Sequence, residues 1–370
     1  MSSLSGQRGS AIQPLLLIQQ NPLNKHKVIA PSQQKKMSLF DSDVDPIHYS
    51  GKTDREQNGR AFIKTPILFE TTIIYKFEAG VDKMNGFSKA ALLCAMLLGT
   101  GMAQAANSRC VAGATFTNET VDCGGQYISG GWCNGDDDNQ APIIKLYNAK
   151  IINAKFAQGK AGKGIQCWSG TCSVENVTFD EVCEDAISTR ADGVTLNIKG
   201  STFKNTMSTD LAYGKKPDKF IQVNQKNVKV SISNSHFYIV PATSSTPKPL
   251  TGKAGKIVRT CGNCSGNIGP RTITMSNVYA HGPFSSIAGV NSKYRYNSTI
   301  DTVTISGLQV EGYKAPASGK VESTPPICEE FEGIDKAKDG SGVDSPKIGQ
   351  AWKDKSKSCL VTPADVTALK

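Results

Sequence analysis

The 370-residue sequence predicts an all-β protein wound into a right-handed parallel β-helix, a solenoid with loop insertions that disulfide bonds stabilise. Three observations predict this fold class. A short motif with a fixed corner residue recurs along the chain, the runs beside it alternate apolar and polar residues, and ten cysteines follow a secretory signal. The composition agrees, because 35 glycines and 11 cysteines are unusual for a helical bundle, and a mean hydropathy of −0.29 does not indicate wholesale disorder.

The recurring motif has an apolar residue, any residue, Asn or Gly, two further residues and a closing apolar residue. The first three copies begin 23 and 24 residues apart, and the later ones follow after 34, 43 and 30 residues. A period of this length, with short β-rich runs, is typical of stacked coils of strands. The copies occupy residues 151–156, 174–179, 198–203, 232–237, 275–280 and 305–310.

The residues around each corner fit short strands joined by tight turns. Residues 228–232 and 302–305 alternate between apolar and polar side chains, as in a strand with one buried face. Asn and Gly tolerate a left-handed backbone, and stacked Asn side chains would form a hydrogen-bonded ladder. Leucine-rich repeats are excluded by the missing leucine spacing, and a β-sandwich would not repeat such a corner. The longer gaps between copies are predicted to be loops.

A secretory signal lies well inside the chain. Residues 84–89 carry one positive charge, residues 90–102 are apolar, and Ala103-Gln104-Ala105 closes the segment. A membrane span needs about 20 apolar residues, so this shorter run indicates a signal peptide over residues 84–105. Residues 1–83 are then a gene-model artefact or a disordered leader; the alternative is a genuine extension with an internal anchor. Residues 106–370 are predicted to form a single secreted, extracellular β-helix domain with a C-terminal tail from about residue 334.

Cysteines behind a signal peptide, in even number, predict disulfides formed in an oxidising compartment. Cys261 and Cys264 form a C-x-x-C pair, which we interpret as structural because no second such pair completes a zinc site. The spacing leaves the connectivity open. Four sequons predict a glycoprotein, with acceptors at Asn118, Asn176, Asn263 and Asn297. The ten cysteines are Cys110, Cys123, Cys133, Cys167, Cys172, Cys183, Cys261, Cys264, Cys328 and Cys359.

The chain is basic, with 42 Lys and Arg against 32 Asp and Glu and a formal charge of +10. Without residues 1–105, 30 basic residues still face 24 acidic ones. This balance favours a polyanionic partner, which is nucleic acid, a membrane surface or an acidic polysaccharide. Nucleic acid is the poorest of these, because there is no aromatic stacking platform or recognised motif and secretion argues against it. Four histidines without a close pair argue against a histidine metal site.

Five strings in the middle of the chain combine cysteines, glycines and charged residues in a fixed order. They are Gly164-Ile165-Gln166-Cys167, then residues 170–177, 180–186, 217–224 and 255–264. In this order they resemble the family-3 pectate lyases, closest to the cysteine-rich versions of fungi and oomycetes. The likeness covers roughly residues 123–333 and includes residues 289–292 and 327–331. That family folds as a parallel β-helix, which agrees with the repeat found from the sequence itself.

The resemblance implies calcium-assisted β-elimination of polygalacturonate, the de-esterified form of pectin, by a secreted enzyme that is monomeric and, once mature, free of membranes. Calcium and cationic side chains neutralise the uronate carboxylate, so that a base can remove the C5 proton and the glycosidic oxygen leaves from C4. Matched residue by residue, Lys219 is the base and Arg259 the catalytic, substrate-binding arginine, with Arg190 and Lys256 as further substrate-binding residues. The implied calcium ligands are Asp138, Glu184, Asp185 and Asp218.

Two expectations follow for the cationic side chains. A lysine acts as a base only when its pKa is lowered, and we expect Arg259 and calcium to lower the pKa of Lys219. Arg259 suits a planar carboxylate because its guanidinium can bind both oxygens at once.

One departure from the family pattern bears on activity. Lys163 stands where the family commonly has an acidic residue, and Gln166 where it has histidine. An ammonium group there would remove a calcium ligand and repel the ion. Either the remaining carboxylates hold calcium, or Lys163 takes over the charge-neutralising role of one metal ion, or activity is lost. The last case gives the alternative hypothesis of a weak or inactive lyase-like protein that binds plant cell-wall pectin as a host-interaction factor.

Overall fold

The computed structural model describes residues 107–134, 140–210, 217–241, 243 and 252–370. The predicted leader (residues 1–83), the signal peptide (residues 84–105) and Asp138 lie outside these ranges. Within them, none of the helices is long and apolar enough to cross a membrane.

The first sheet runs along the whole described domain and carries one strand from each coil. Its strands pair in parallel up to β19, and β20 then joins in the antiparallel direction. In sheet order they are β1 (Ala114–Thr117), β3 (Ile144–Tyr147), β6 (Ile165–Ser169), β9 (Ile187–Thr189), β12 (Lys219–Val223), β14 (Lys256–Thr260), β16 (Ala288–Tyr294), β19 (Cys328–Gly333) and β20 (Lys347–Gln350).

The second sheet has two rows of parallel strands, and β13 (Val228–Pro241) and β15 (Arg271–His281) run through both. The first row holds β2 (Thr120–Asp122), β4 (Lys150–Ile152), β7 (Thr171–Glu175), β10 (Thr195–Lys199), β17 (Thr302–Ser306) and β21 (Cys359–Leu360). The second row holds β5 (Lys155–Phe156), β8 (Thr178–Phe179), β11 (Thr202–Met207), β18 (Leu308–Glu311) and β22 (Val366–Leu369). Each coil thus contributes in turn to the first sheet and to both rows, which confirms the predicted all-β parallel β-helix.

The predicted corner residues lie between the two rows of the second sheet. All six have a left-handed backbone, with φ between 48° and 60°, at Asn153, Asn176, Gly200, Asn234, Asn277 and Gly307. The predicted ladder forms where Asn follows Asn in the stack: Nδ2 of Asn176 donates to Oδ1 of Asn153 at 2.6 Å. The glycines at positions 200 and 307 interrupt it.

The closing apolar residue of the motif fills the interior. Phe156, Phe179, Phe203 and Phe237 are buried and stack coil upon coil, with ring centroids 4.2, 5.4 and 4.7 Å apart. One contiguous apolar core, built mainly from Ile, Val and Phe, runs through the coils. Burial of these inward-facing side chains is the main force that holds the coils together.

All ten cysteines of the predicted mature chain form disulfides, which confirms the predicted stabilisation. The C-x-x-C pair is one of them, as predicted, and its structural role stays a prediction. The bonds are Cys110–Cys123, Cys133–Cys183, Cys167–Cys172, Cys261–Cys264 and Cys328–Cys359.

The segment from about residue 334, which the sequence predicts to be a tail, folds back onto the domain. It contains α1 (Lys336–Asp339), the antiparallel strand β20 and a short 3₁₀ turn (Pro363–Asp365). Strands β21 and β22 then pair in parallel with β17 and β18 and so extend the last coil. This segment therefore belongs to the β-helix, and part of it lies beside the site described next.

Candidate active site

The site lies on the first sheet, where the parallel register stacks charged residues of successive coils. Glu184 and Asp185 end the turn before β9, and Lys219 is the first residue of β12. Lys219 pairs in register with Lys256 of β14. Residues that are far apart in the sequence therefore meet because each occupies the same place in its own coil.

Lys219 lies between two carboxylates. Its Nζ is 3.6 Å from Oδ1 of Asp185 and 3.4 Å from Oδ2 of Asp218, and only 12% of the side chain is exposed. The Gln222 amide, oriented to satisfy both neighbours, donates to Oδ2 of Asp185 at 3.0 Å and accepts from Nζ of Lys219 at 3.3 Å. These contacts hold the ammonium group in one position.

This environment corrects one expectation about Lys219. Burial acts to lower the pKa of its ammonium group, but Asp185, Asp218 and Glu184 outweigh burial and hold that pKa above its usual value. Arg259 is not among the groups that determine it. The predicted lowering of the pKa of Lys219 by Arg259 is therefore wrong for the protein alone, because the negative charges of three carboxylates raise that pKa.

Lys256, on the next coil, has the opposite character. Burial, and then the neighbouring charge of Arg259, lower the pKa of Lys256. Its Nζ lies 3.7 Å from Oε2 of Glu329, a buried carboxylate that also accepts a hydrogen bond from Oγ of Ser286 at 2.8 Å. The positive charge of Lys256 is thus balanced less strongly by neighbouring carboxylates than the positive charge of Lys219 is.

The Arg259 guanidinium lies over the ring of Phe331, with its central carbon 4.0 Å from the ring centroid. Gly289 leaves room for this contact, since a Cβ there would come within 3.2 Å of Cε2 of Phe331 and 3.3 Å of Cγ of Arg259. A cation over an aromatic face is stabilised by the ring quadrupole. The guanidinium is therefore oriented before any ligand arrives.

Glu184 and Asp185 form a buried acidic pair, with 7% and 1% of each residue exposed. Burial, and then the adjacent Asp185, raise the pKa of Glu184. Oε2 of Glu184 and Oδ1 of Asp185 have no hydrogen-bond partner. Nζ of Lys163 lies 3.3 Å from that Glu184 oxygen.

Asp218 differs from that pair because 62% of its side chain is exposed. Desolvation raises its pKa, but Lys219, Arg259 and Lys256 outweigh that effect and hold the pKa of Asp218 below its usual value. Asp218 is therefore a charged carboxylate at the rim of the cleft.

These side chains line adjoining clefts on the first sheet. One, of about 380 Å³, is lined by Asp218, Lys219, Gln222 and Arg259. The next, of about 470 Å³, is also lined by Gln222 and contains Lys163 and Arg190. Because the two clefts share wall residues, they form a groove that extends along the stacked coils.

Comparison with known proteins decides the family. The family model described as pectate lyase matches residues 100–338. The chain belongs to the pectate lyase family. The family assignment that the five strings predicted is confirmed.

Several relatives are similar over most of the domain. "Probable pectate lyase E" of Neosartorya fischeri is 30% identical over 245 residues, which cover 65% of this chain and 74% of that protein. "Probable pectate lyase D" of Emericella nidulans is 29% identical, over 60% of this chain and 70% of the relative. The crystal structure of the catalytic domain of pectate lyase PelI from Erwinia chrysanthemi superposes with a TM-score of 0.57 at 38% identity, covering 71% of this chain and all of the domain. This chain is thus similar to pectate lyases in both sequence and fold.

The carboxylates fit a calcium ion in chemistry more than in number. Calcium prefers oxygen ligands, and the two buried oxygens without hydrogen-bond partners on Glu184 and Asp185 are of that kind. Within the described residues, however, no group of three or more acidic, histidine or cysteine side chains has the geometry of a metal site. Asp218 is exposed nearby, and Asp138 lies outside the described ranges. These residues would hold calcium only with further oxygens from elsewhere.

Sequence analysis missed four residues of this pectate lyase cleft. Gln222, Glu329 and Phe331 lie within strings that carry the resemblance. Their amide, carboxylate and aromatic ring stand beside cationic residues, and that chemistry could have identified them as site residues. Asp344 lines the cleft from the C-terminal segment. It gave no signal, because only the fold of that segment brings it close to Arg259.

Proposed function

We propose that this pectate lyase cleaves polygalacturonate by β-elimination, outside the cell, with calcium as cofactor. The observation that carries the proposal is a cleft on one sheet that Lys219 and Arg259 line together, with Lys256 in register beside Lys219 on the next coil. A row of cations matches a polymer with a carboxylate on every sugar, and an extended groove matches a chain substrate.

Substrate carboxylates would bind to the cations that the groove presents. Arg259 is the primary partner, because its guanidinium lies over the Phe331 ring and its fork can bind both carboxylate oxygens. Arg190 lines the adjoining cleft, and its buried Nε has no hydrogen-bond partner. Lys256 lies one coil from Lys219, in register with it, and adds a further positive charge.

Lys219 is the proposed base. It would remove the C5 proton; the C5 electron pair then forms the C4–C5 double bond, and the C4–O bond breaks with its electrons on the departing oxygen. That oxygen gains a proton and becomes a hydroxyl group. The reaction requires Lys219 to be neutral, so the carboxylates that hold its pKa high must first be compensated. Calcium, when bound, would supply positive charge at Glu184, Asp185, Asp218 and the substrate carboxylate.

The alternative is a protein of the same fold that binds pectin with little or no turnover. The specific observation in its favour is Lys163, whose ammonium group lies 3.3 Å from Glu184 within the acidic pair. Against it, the chain has Lys219, Arg259 and Asp218 lining one cleft, with Asp185 3.6 Å from Lys219 and Glu184 adjacent to Asp185.

The test is the ultraviolet absorbance of the unsaturated product, measured on polygalacturonate with calcium and then with a chelator. We expect absorbance to rise with calcium and to stop on chelation. A flat trace from folded, disulfide-intact protein at every calcium concentration would support the binding protein instead.

The location and processing of the chain remain predictions with their own tests. We expect the secreted protein to begin at or near Ala106, to be a monomer and to carry glycans on some of its four sequons. N-terminal sequencing of secreted protein from its natural source, with mass measurement before and after deglycosylation, checks these points. A secreted form that retains residues before Met84 would contradict the signal peptide.

A further inference from the structure

Lys163 sits in a loop whose backbone has little freedom. The flanking Gly162 and Gly164 have φ values of +48° and +55°, which L residues with side chains rarely adopt. A Cβ at Gly164 would lie 1.9 Å from the carbonyl oxygen of Ala186 on the next coil. The backbone N–H of Lys163 donates to the carbonyl of Ala141 at 3.2 Å. The loop therefore holds the Cα of Lys163 against the coil that carries the acidic pair.

The side chain of Lys163 is directed at that pair. Its Nζ is 3.3 Å from Oε2 of Glu184, and the two side chains are 7% and 9% exposed. Lys219 contacts the other member, Asp185, at 3.6 Å. Two adjacent buried carboxylates are unfavourable unless positive charge compensates them. Here each carboxylate has an ammonium group from the chain itself beside it.

A carboxylate whose negative charge is already balanced by an ammonium group binds a free metal cation poorly. A metal ion that bound Glu184 would lie close to the Lys163 ammonium and would be repelled by it. Because both side chains are buried, solvent screens this repulsion only weakly. At Asp218 the Lys219 ammonium lies 3.4 Å away, but 62% of the Asp218 side chain is exposed, so solvent screens that opposing charge more strongly than at Glu184.

We propose that the ammonium group of Lys163 takes the place of a metal ion at Glu184. The substrate-free protein then binds calcium weakly, and calcium enters the cleft together with the uronate carboxylates. This rests on the proposed function only in taking calcium as the cation and a uronate as the substrate. Substrate carboxylates supply the further oxygens that the described residues lack.

The test is calcium binding without substrate, by isothermal titration calorimetry and thermal melting at fixed ionic strength. The variants are Lys163→Asp, Lys163→Gln and, as a matched control on an exposed lysine of β13, Lys229→Asp. We expect Lys163→Asp to bind calcium at least about tenfold more tightly than the starting protein, because it adds an oxygen ligand and removes a repelling charge. The control variant should bind as the starting protein does.

Thermal melting provides a second measurement in case Lys163→Asp does not fold. Lys163→Gln leaves Glu184 without its ammonium partner, so it should melt below the starting protein without calcium and recover most of the loss when calcium is added. Calcium should barely change the melting temperature of the starting protein or of Lys229→Asp.

Two results would overturn the proposal. One is tight calcium binding by the starting protein that the Lys163→Asp substitution does not strengthen. The other is a melting temperature of Lys163→Gln that does not change when calcium is added. Neither measurement uses substrate, so a negative lyase assay, which would count against the proposed function, leaves this test unaffected.

Discussion

The two sheets of this β-helix differ in what they place at equivalent positions of successive coils. The second sheet places the same residue types in register, with Asn or Gly at each corner and Phe beside it in four coils. The first sheet places a different residue on each coil: Ser188, Gln222, Arg259, Gly289 and Glu329 lie in register at one position, and Lys219 pairs with Lys256 at another.

This difference separates stabilisation of the fold, in the second sheet, from the functional site, in the first. Identical residues in register satisfy one another, as rings stack and amides hydrogen-bond along the axis, so they hold the coils together. Unlike charges in register cost desolvation energy and create shifted pKa values, which is typical of functional sites. If this division holds, substitutions in the second sheet should change stability and leave turnover intact, and substitutions in the first should do the reverse.

The largest expected effect on stability comes from the phenylalanine stack. Phe203 is fully buried between Phe179 and Phe237, and Phe203→Ala should lower the free energy of unfolding by about 3–5 kcal/mol. Phe203→Leu, which keeps most of the volume, is the control and should lose less. Denaturant unfolding with intact disulfides measures both. A loss of lyase activity per folded molecule would contradict the division between the sheets.

A smaller effect, on substrate binding, should follow from removing the platform under Arg259. Phe331→Leu should lower kcat/KM by roughly tenfold, mainly through a higher KM, because a loose guanidinium binds substrate and transition state equally less well. Phe331→Tyr keeps the aromatic face and should restore the starting KM. Equal kinetics in the Leu variant and the starting protein would show that the stacking does not position Arg259.

The smallest effect belongs to a single corner. Asn176 is exposed and has a φ of 50°, so Asn176→Ala should lower the free energy of unfolding by about 1 kcal/mol through left-handed strain and the lost hydrogen bond to Asn153. Asn176→Gly removes only the hydrogen bond and should lose less. If both variants lose the same free energy of unfolding, the corner stabilises the fold through the hydrogen bond of the ladder and not through its left-handed backbone.

The second sheet could be predicted from the sequence because the residues that define each of its corners lie close together in the chain. The corner at Asn176 and the ring of Phe179 lie within one six-residue motif, so a pattern reveals both. A second row of corners, at positions such as Asn118, Asn148 and Asn227, also has left-handed backbone but follows no regular motif and was missed.

The first sheet was predictable only in part. Resemblance to a family assigned Lys219 and Arg259 to one active site, but it did not give the distances between their charges. The pKa of Lys219 depends on carboxylates that come from two separate turns, and Asp344 reaches the cleft only because the C-terminal segment folds back. Such effects depend on the coil-to-coil register and on side-chain packing, which no local pattern encodes.

The proposed mechanism depends most directly on Lys219 being the base, and a pair of conservative substitutions tests this role. Lys219→Arg keeps the positive charge between Asp185 and Asp218 but cannot give up its proton at ordinary pH, whereas Lys256→Arg makes the same change on the lysine whose pKa is lowered. With both variants shown to be folded by thermal melting, we measure the rate of unsaturated product formation with saturating calcium. Lys219→Arg should lose a factor of about 10² to 10⁴ in kcat, and Lys256→Arg should stay within about tenfold of the starting protein. The reverse result, with Lys256→Arg inactive and Lys219→Arg active, would contradict the account and make Lys256 the base.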